Sequence, residues 1–161
     1  MPITPSLEPT EVLSIDYADQ QILVMLQENA RINVSDIATS LNISTTTCTR
    51  RIKRLEECGM IRGYHAQVNA KKLGYNLSVY IAVSMETHTA DSFNKFEEKI
   101  REFKEVMSCS IVTGRSEDYL LKVLVKDMEH FEDFILHKLN HIEGVSNIQT
   151  SIELRDVLKR S

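Results

Sequence analysis

The sequence predicts an α+β protein in two parts, a short helical unit followed by a strand-helix-strand-strand-helix-strand domain. Three observations carry this expectation. Apolar residues recur at helical spacing up to about residue 58 and then give way to strict alternation in Leu77–Met85. The charge is segregated: residues 30–72 hold eight bases against three acids, while residues 1–29 hold five acids and no base. The chain is also long enough, at 161 residues, for one to two domains with real cores.

Composition excludes several classes. Apolar residues at 42% and charged residues at 26% are globular values. No apolar run approaches a membrane span, and Met1–Pro9 lacks the basic and apolar regions of a signal peptide. The three cysteines, Cys48, Cys58 and Cys109, are odd in number and lack CxxC spacing, so reduced thiols in a cytoplasmic protein are expected. No metal site is expected either: His137 and His141 stand four apart but without HExxH context or a third ligand. No phosphate loop or nucleophile elbow is present, and the chain is not expected to be an enzyme.

The elements follow in order. Residues 1–13 read as a loose arm, interrupted by Pro2, Pro5 and Pro9. Asp16 caps a first helix, Tyr17–Asn29, with Asp19 in a box-like role and Ile22, Leu23, Leu26 and Ala30 at helical spacing. Asn33 can cap a second helix, Val34–Leu41, and Asn42 suits the left-handed turn that follows. Ser44 caps a third helix reaching about Cys58, with Gly59 at the left-handed stop. Cys48, Ile52 and Leu55 share its back; Thr46, Thr47, Arg50, Arg51 and Arg54 share its front. Gly63 and Gly74 bracket an expected strand, Tyr64–Asn69. Strand Leu77–Met85, helix Asp91–Phe103, strands Val106–Thr113 and Tyr119–Val125, helix Met128–His141 and strand Val145–Leu154 then spell the ferredoxin-like order.

The second and third helices make a helix-turn-helix candidate, because a rigid pair can present one helix to a major groove about 12 Å wide. Ser44, Thr45, Thr46 and Thr47 put hydroxyls and free N–H groups at the start of that helix, where the dipole favours phosphate. Arg50, Arg51 and Arg54 lie further along, within reach of guanine edges or phosphates. An ordinary three-helix bundle with a solvated charged face is the alternative.

At this point the chain strongly resembles the Lrp/AsnC family of transcriptional regulators. The matching runs are Asp19-Gln20-Gln21-Ile22-Leu23, Asn33-Val34-Ser35-Asp36-Ile37-Ala38, Leu41-Asn42-Ile43-Ser44, Arg51-Ile52-Lys53-Arg54-Leu55-Glu56 and Gly59-Met60-Ile61-Arg62-Gly63-Tyr64. Val112-Thr113-Gly114, Asp118-Tyr119-Leu120-Leu121-Lys122-Val123 and Gly144-Val145 extend the match, which covers about Leu13 to Val157. The resemblance implies a winged helix-turn-helix over residues 14–64, a linker strand over 65–74 and an effector-binding, oligomerising domain over 75–157, with a tail at 158–161. It implies double-stranded DNA, a homodimer that assembles toward octamers, and an amino-acid-like effector as partners, with no cofactor, and a cytoplasmic, nucleoid-associated protein.

By the same resemblance the effector site takes Gly114, Asp118 and Tyr119, with Met128 and Ile152 as candidates for its apolar wall. The loop from Gly114 to Asp118 holds three intervening residues where the family usually has two. Gly114 and Asp118 shaping only a hairpin is the plain alternative. Tyr80 is expected at a subunit contact. At the level of the whole chain, two other readings compete with a switchable regulator: an architectural DNA-coating protein without effector, and a metabolic enzyme with a ferredoxin-like regulatory domain.

Overall fold

The computed structural model describes residues 14–114 and 116–157, so the expected arm at 1–13 and tail at 158–161 lie outside the described residues. The chain divides after Gln67 into two units, each with its own apolar core.

The first unit contains α1 (Tyr17–Glu28), α2 (Val34–Ser40) and α3 (Thr45–Glu57). Asp16 and Asp19 form a reciprocal capping box at the start of α1. The helix stops at Glu28, which leaves Ala30 in an exposed turn rather than on the apolar stripe. Asn33 stands at the N-cap of α2, but its side chain donates to Asp36 Oδ2 instead of accepting from the helix. Asn42 takes the left-handed conformation at φ 53° between α2 and α3, and Gly59 does so at φ 73° after α3. Ile22, Ile37, Ala38, Cys48 and Leu55 are the buried centre of this unit. Burying these five aliphatic and thiol side chains from three helices is what holds so short a bundle together.

The expected strand at Tyr64–Asn69 does not form. Residues 62–69 carry no sheet ladder, and a 3-10 turn, Ala70–Leu73, follows them. A strand needs a paired neighbour, and among the described residues this segment has none.

The second unit is a four-stranded antiparallel sheet in the order β2-β3-β1-β4, formed by β1 (Leu77–Met85), β2 (Val106–Ile111), β3 (Tyr119–Val125) and β4 (Val145–Ile152). Val79, Ile81, Val83 and Met85 alternate inward from β1, and Tyr119, Leu121, Val123 and Val125 do so from β3. They meet Phe96 and Ile100 of α4 (Ala90–Arg101) and Phe134 of the second helical segment. That segment was expected to run as a single helix to His141. Instead α5 (Met128–Asp133) passes into a π turn, Phe134–Lys138, and a 3-10 turn, Leu139–His141. The change of pitch has a packing consequence. Phe134 and Leu139, five apart, are both fully buried, and five residues return to one face only in the wider π winding.

Among the described residues of this unit, no helix covers the opposite face of the sheet. Pairing register puts Tyr80 beside Lys122 and Ser151, and Ala82 beside Leu120 and Gln149. Tyr80 is exposed, with the Lys122 ammonium 5.1 Å from its ring centre and bonded to its hydroxyl at 3.2 Å.

Candidate nucleic-acid interface and effector loop

At the start of α3 the Ser44 hydroxyl accepts the Thr47 N–H at 3.1 Å and pairs with the Thr47 hydroxyl at 2.8 Å. Thr45 and Thr46 are exposed ahead of it, in a first turn without an acidic residue. Two backbone N–H groups there remain beyond the reach of the intrahelical ladder, so the helix start is electropositive and open. Arg50 is exposed one turn further on and makes no ion pair among the described residues. Cys48 and Leu55, fully buried, and half-buried Ile52 anchor the opposite side and fix which face of α3 looks outward. The buried Cys48 thiol is pushed up from its ordinary value by desolvation, so it stays protonated and acts as an apolar filler.

Arg51 and Arg54 differ from the expectation that placed them with Arg50. The Arg51 guanidinium turns back to α1, where one nitrogen lies 2.7 Å from Asp16 Oδ2 and 2.9 Å from Asp19 Oδ1. Arg54 pairs with the other oxygen of Asp19. Asp19 itself is 0% exposed, and its carboxylate also accepts the Asp16 N–H. A buried carboxylate is tolerated only when paired and bonded in this way. The Asp19 N–H and the Arg51 guanidinium together hold the Asp16 carboxyl below its ordinary value. The role of Asp19 had a signal in the sequence: it stands at i with Ile22, Leu23 and Leu26 at i+3, i+4 and i+7, an acid on the inward stripe of its helix. Such an acid demands a cation from elsewhere in the fold.

In the second unit, Gly114 takes φ 89° with open space where a side chain would project. Asp118 ends the same loop. Its Oδ2 accepts the Met85 N–H at 2.7 Å, and its Oδ1 lies 2.9 Å from His88 Nε2. Its backbone bonds Val83 and Val112, so Asp118 ties the loop to the end of β1. The next acid behaves differently. Glu117 takes the Ser116 hydroxyl on Oε1 at 3.2 Å, while Oε2 is shielded from solvent and has no partner among the described residues.

The Tyr119 side chain lies in the core instead of in this loop. It is 1% exposed, stacks against Phe96 at 4.4 Å between ring centres, and directs its hydroxyl to Glu97 at 3.3 Å. Strand alternation sends Tyr119 to the helix side, opposite to the neighbouring Leu120. Burial and the Glu97 carboxylate raise its phenol well above the usual range. Met128 and Ile152, both exposed, are also not beside Gly114. Ile152 pairs with Val79, six residues along β1 from the Met85 that holds Asp118, a separation of about 20 Å. Met128 begins the helix that follows β3, and Val125 at that end of β3 pairs with Leu77. The five residues expected around one effector therefore divide between two ends of the sheet and its interior.

Comparison with known proteins accounts for both units. Residues 15–62 match the winged helix-turn-helix DNA-binding model, and residues 78–161 match the Lrp/AsnC ligand binding domain. The Bkd operon transcriptional regulator of Pseudomonas aeruginosa is 37% identical over 91% of this chain and 95% of its own length. The leucine-responsive regulatory protein of Rhizobium meliloti is 32% identical over 90% and 92%. Among solved structures, a transcriptional regulator of Neisseria meningitidis in complex with L-Met superposes with a TM-score of 0.86 at 32% identity, covering 92% of this chain and 95% of that one. Two domains in the right order, together over most of its length, make this chain a DNA-binding transcriptional regulator of the Lrp/AsnC family.

Proposed function

We propose that the protein is a dimeric regulator that lays α3 in successive major grooves and changes its DNA binding when an amino acid occupies the sheet domain. The single observation that carries the DNA half is the two-sidedness of α3: a locked apolar back, and a front where the free N–H groups of the first turn and the Arg50 guanidinium stand unpaired. Contacts from Thr45, Thr46 and Arg50 follow, with Ser44 and Thr47 shaping the helix start. In a dimer the half-sites lie about 34 Å apart or a multiple of it.

The effector half is supported by the Neisseria relative's complex with L-Met and by the loop itself. Gly114 admits close approach of backbone N–H groups to a carboxylate, and the acids that end the loop suit an ammonium. Since Met128 and Ile152 lie at the other end of the sheet, their contribution would come from another copy, which couples occupancy to higher assembly. Reduced thiols and a DNA target fit the cytoplasm and nucleoid; among the described residues no helix is long and apolar enough to cross a membrane.

Titration of the purified protein with its own promoter DNA, and a thermal-shift screen with the twenty amino acids, test the reading. Expected are salt-dependent nanomolar-range binding and a raised melting point with at least one amino acid. A protein that binds DNA but responds to no amino acid is an architectural coat instead. The internal satisfaction of both Asp118 oxygens is the observation that favours that second reading.

A further inference from the structure

We propose that Asp19 is an anionic clamp that withholds Arg51 and Arg54 from the DNA backbone, so that α3 binds by base reading rather than by bulk charge. The proposal rests on the reading of α3 as the DNA-contacting helix. Four cations lie within five positions of that helix: Arg50, Arg51, Lys53 and Arg54. Left free, all four would add to the sequence-independent attraction of phosphate, which scales with the number of charges that displace counterions.

The geometry removes two of them. Both oxygens of Asp19 are taken, one by each guanidinium, and Asp16 adds a second carboxylate to Arg51. Two acids thus cancel two bases in one network. The Nε of Arg51 is buried in that network without a partner among the described residues, a cost the fold accepts to keep the guanidinium turned toward α1. Stability alone does not call for the arrangement, since apolar residues of similar volume commonly hold a buried seam as well as an ion pair does. What an ion pair adds here is direction: it decides where two arginines of the recognition helix point.

Lys53 remains outside the network, loosely paired with Glu57 at 3.5 Å on an exposed turn, and Arg50 makes no ion pair among the described residues. Two exposed cations, and two more tied to carboxylates of α1 and its cap, make a helix whose affinity for arbitrary DNA is lower than its composition suggests.

The test uses the full chain with two duplexes, one carrying the promoter site and one of random sequence, each titrated from 50 to 200 mM salt. Arg54→Gln keeps a donor for Asp19 and removes the charge. Its slope of log affinity against log salt is expected to match wild type on both duplexes, whereas loss of a true phosphate contact would lower it by about 0.9. Asp19→Asn removes the charge that holds Arg54 and leaves Arg51 with Asp16 alone. Affinity for random DNA is expected to rise and its salt slope to steepen by about 0.9, with a smaller gain on the promoter duplex, so the specificity ratio falls.

A slope reduced by about 0.9 in Arg54→Gln overturns the proposal, and so does a folded Asp19→Asn protein whose random-DNA affinity is unchanged or lower. If circular dichroism shows Asp19→Asn unfolded, the Arg54→Gln slopes decide alone. Absence of any salt-dependent binding by the wild-type protein is a separate result: it removes the reading of α3 itself, not the clamp.

Discussion

At the scale of single residues, adjacent positions have unrelated destinations. Arg50 faces outward while Arg51, about 100° further round the helix, reaches α1 and is held by two carboxylates. Asp118 and Tyr119 separate in the same manner, because successive strand residues leave by opposite faces. Tyr119 is a core side chain whose hydroxyl meets Glu97, and Glu97 keeps Arg101 as a second partner at 3.3 Å. Tyr119→Phe is therefore expected to cost about 0.5–1.5 kcal/mol of stability and to leave amino-acid affinity unchanged. Urea melts and calorimetry check the two halves. A lost ligand response in a stable Phe variant would return Tyr119 to the effector site.

Among the elements, α3 depends on its cap more than its composition suggests. Three threonines begin it, residues whose branched side chains lower helix propensity, so the first turn leans on the Ser44 hydroxyl bonded to the Thr47 N–H. Ser44→Ala leaves that N–H without its acceptor and is expected to lower the stability of the first unit by about 1 kcal/mol. If the units melt separately, only the transition of the helical one moves; an unshifted transition would show that the cap contributes nothing there. The interrupted helix after β3 makes a related point. Its apolar residues allow either Phe134 or Ile135 at the core, and the π turn selects Phe134 by bringing it into line with Leu139.

For the whole molecule, buried charge and uncovered surface govern behaviour. Glu105 is buried at the junction of α4 and β2, with Lys138 Nζ at 2.6 Å and His130 Nε2 at 3.2 Å. Burial alone pushes its carboxyl upward, but bonds from Lys138, its own N–H and His130 outweigh burial and bring it below the ordinary 4.5. The folded state thus disfavours the proton. The stabilisation is present above pH 4.5 and is lost as pH falls through the lower folded value. Glu105→Gln is expected to destabilise the sheet unit at pH 7 by about 1–3 kcal/mol and to flatten its acid limb as pH falls below the ordinary 4.5. Melting points across that range measure it, and an acid limb identical to wild type would remove Glu105 as a cause. The uncovered sheet face, with Tyr80, Ala82, Leu120 and Leu124 on one side, suits a second copy. Light scattering is expected to give at least a dimer at micromolar concentration, and Tyr80→Glu to shift it toward monomer; a wild-type monomer would rule the interface out.

What the sequence by itself determined is the three helices of the first unit and the order of strands and helical segments in the second. It did not determine the absence of a strand at Tyr64–Asn69 or the change of pitch after Asp133. The periods of 3.6 and 2, the cap at Ser44, the turn at Asn42 and the stops at Gly59 and Gly144 are local facts, decided within a few residues of backbone geometry. The three-helix unit, the four strands and the electropositive start of α3 were legible for that reason. The tertiary structure alone decided which charges are free and which residues meet. The pairing of Arg51 and Arg54 with Asp19 spans 32 and 35 positions, and the separation of Ile152 from Asp118 depends on the register of β4 against β1. Neither is encoded in the spacing of any one segment. A buried carboxylate must find its cation wherever the fold brings one, and a strand places its side chains only after its neighbour has set the register.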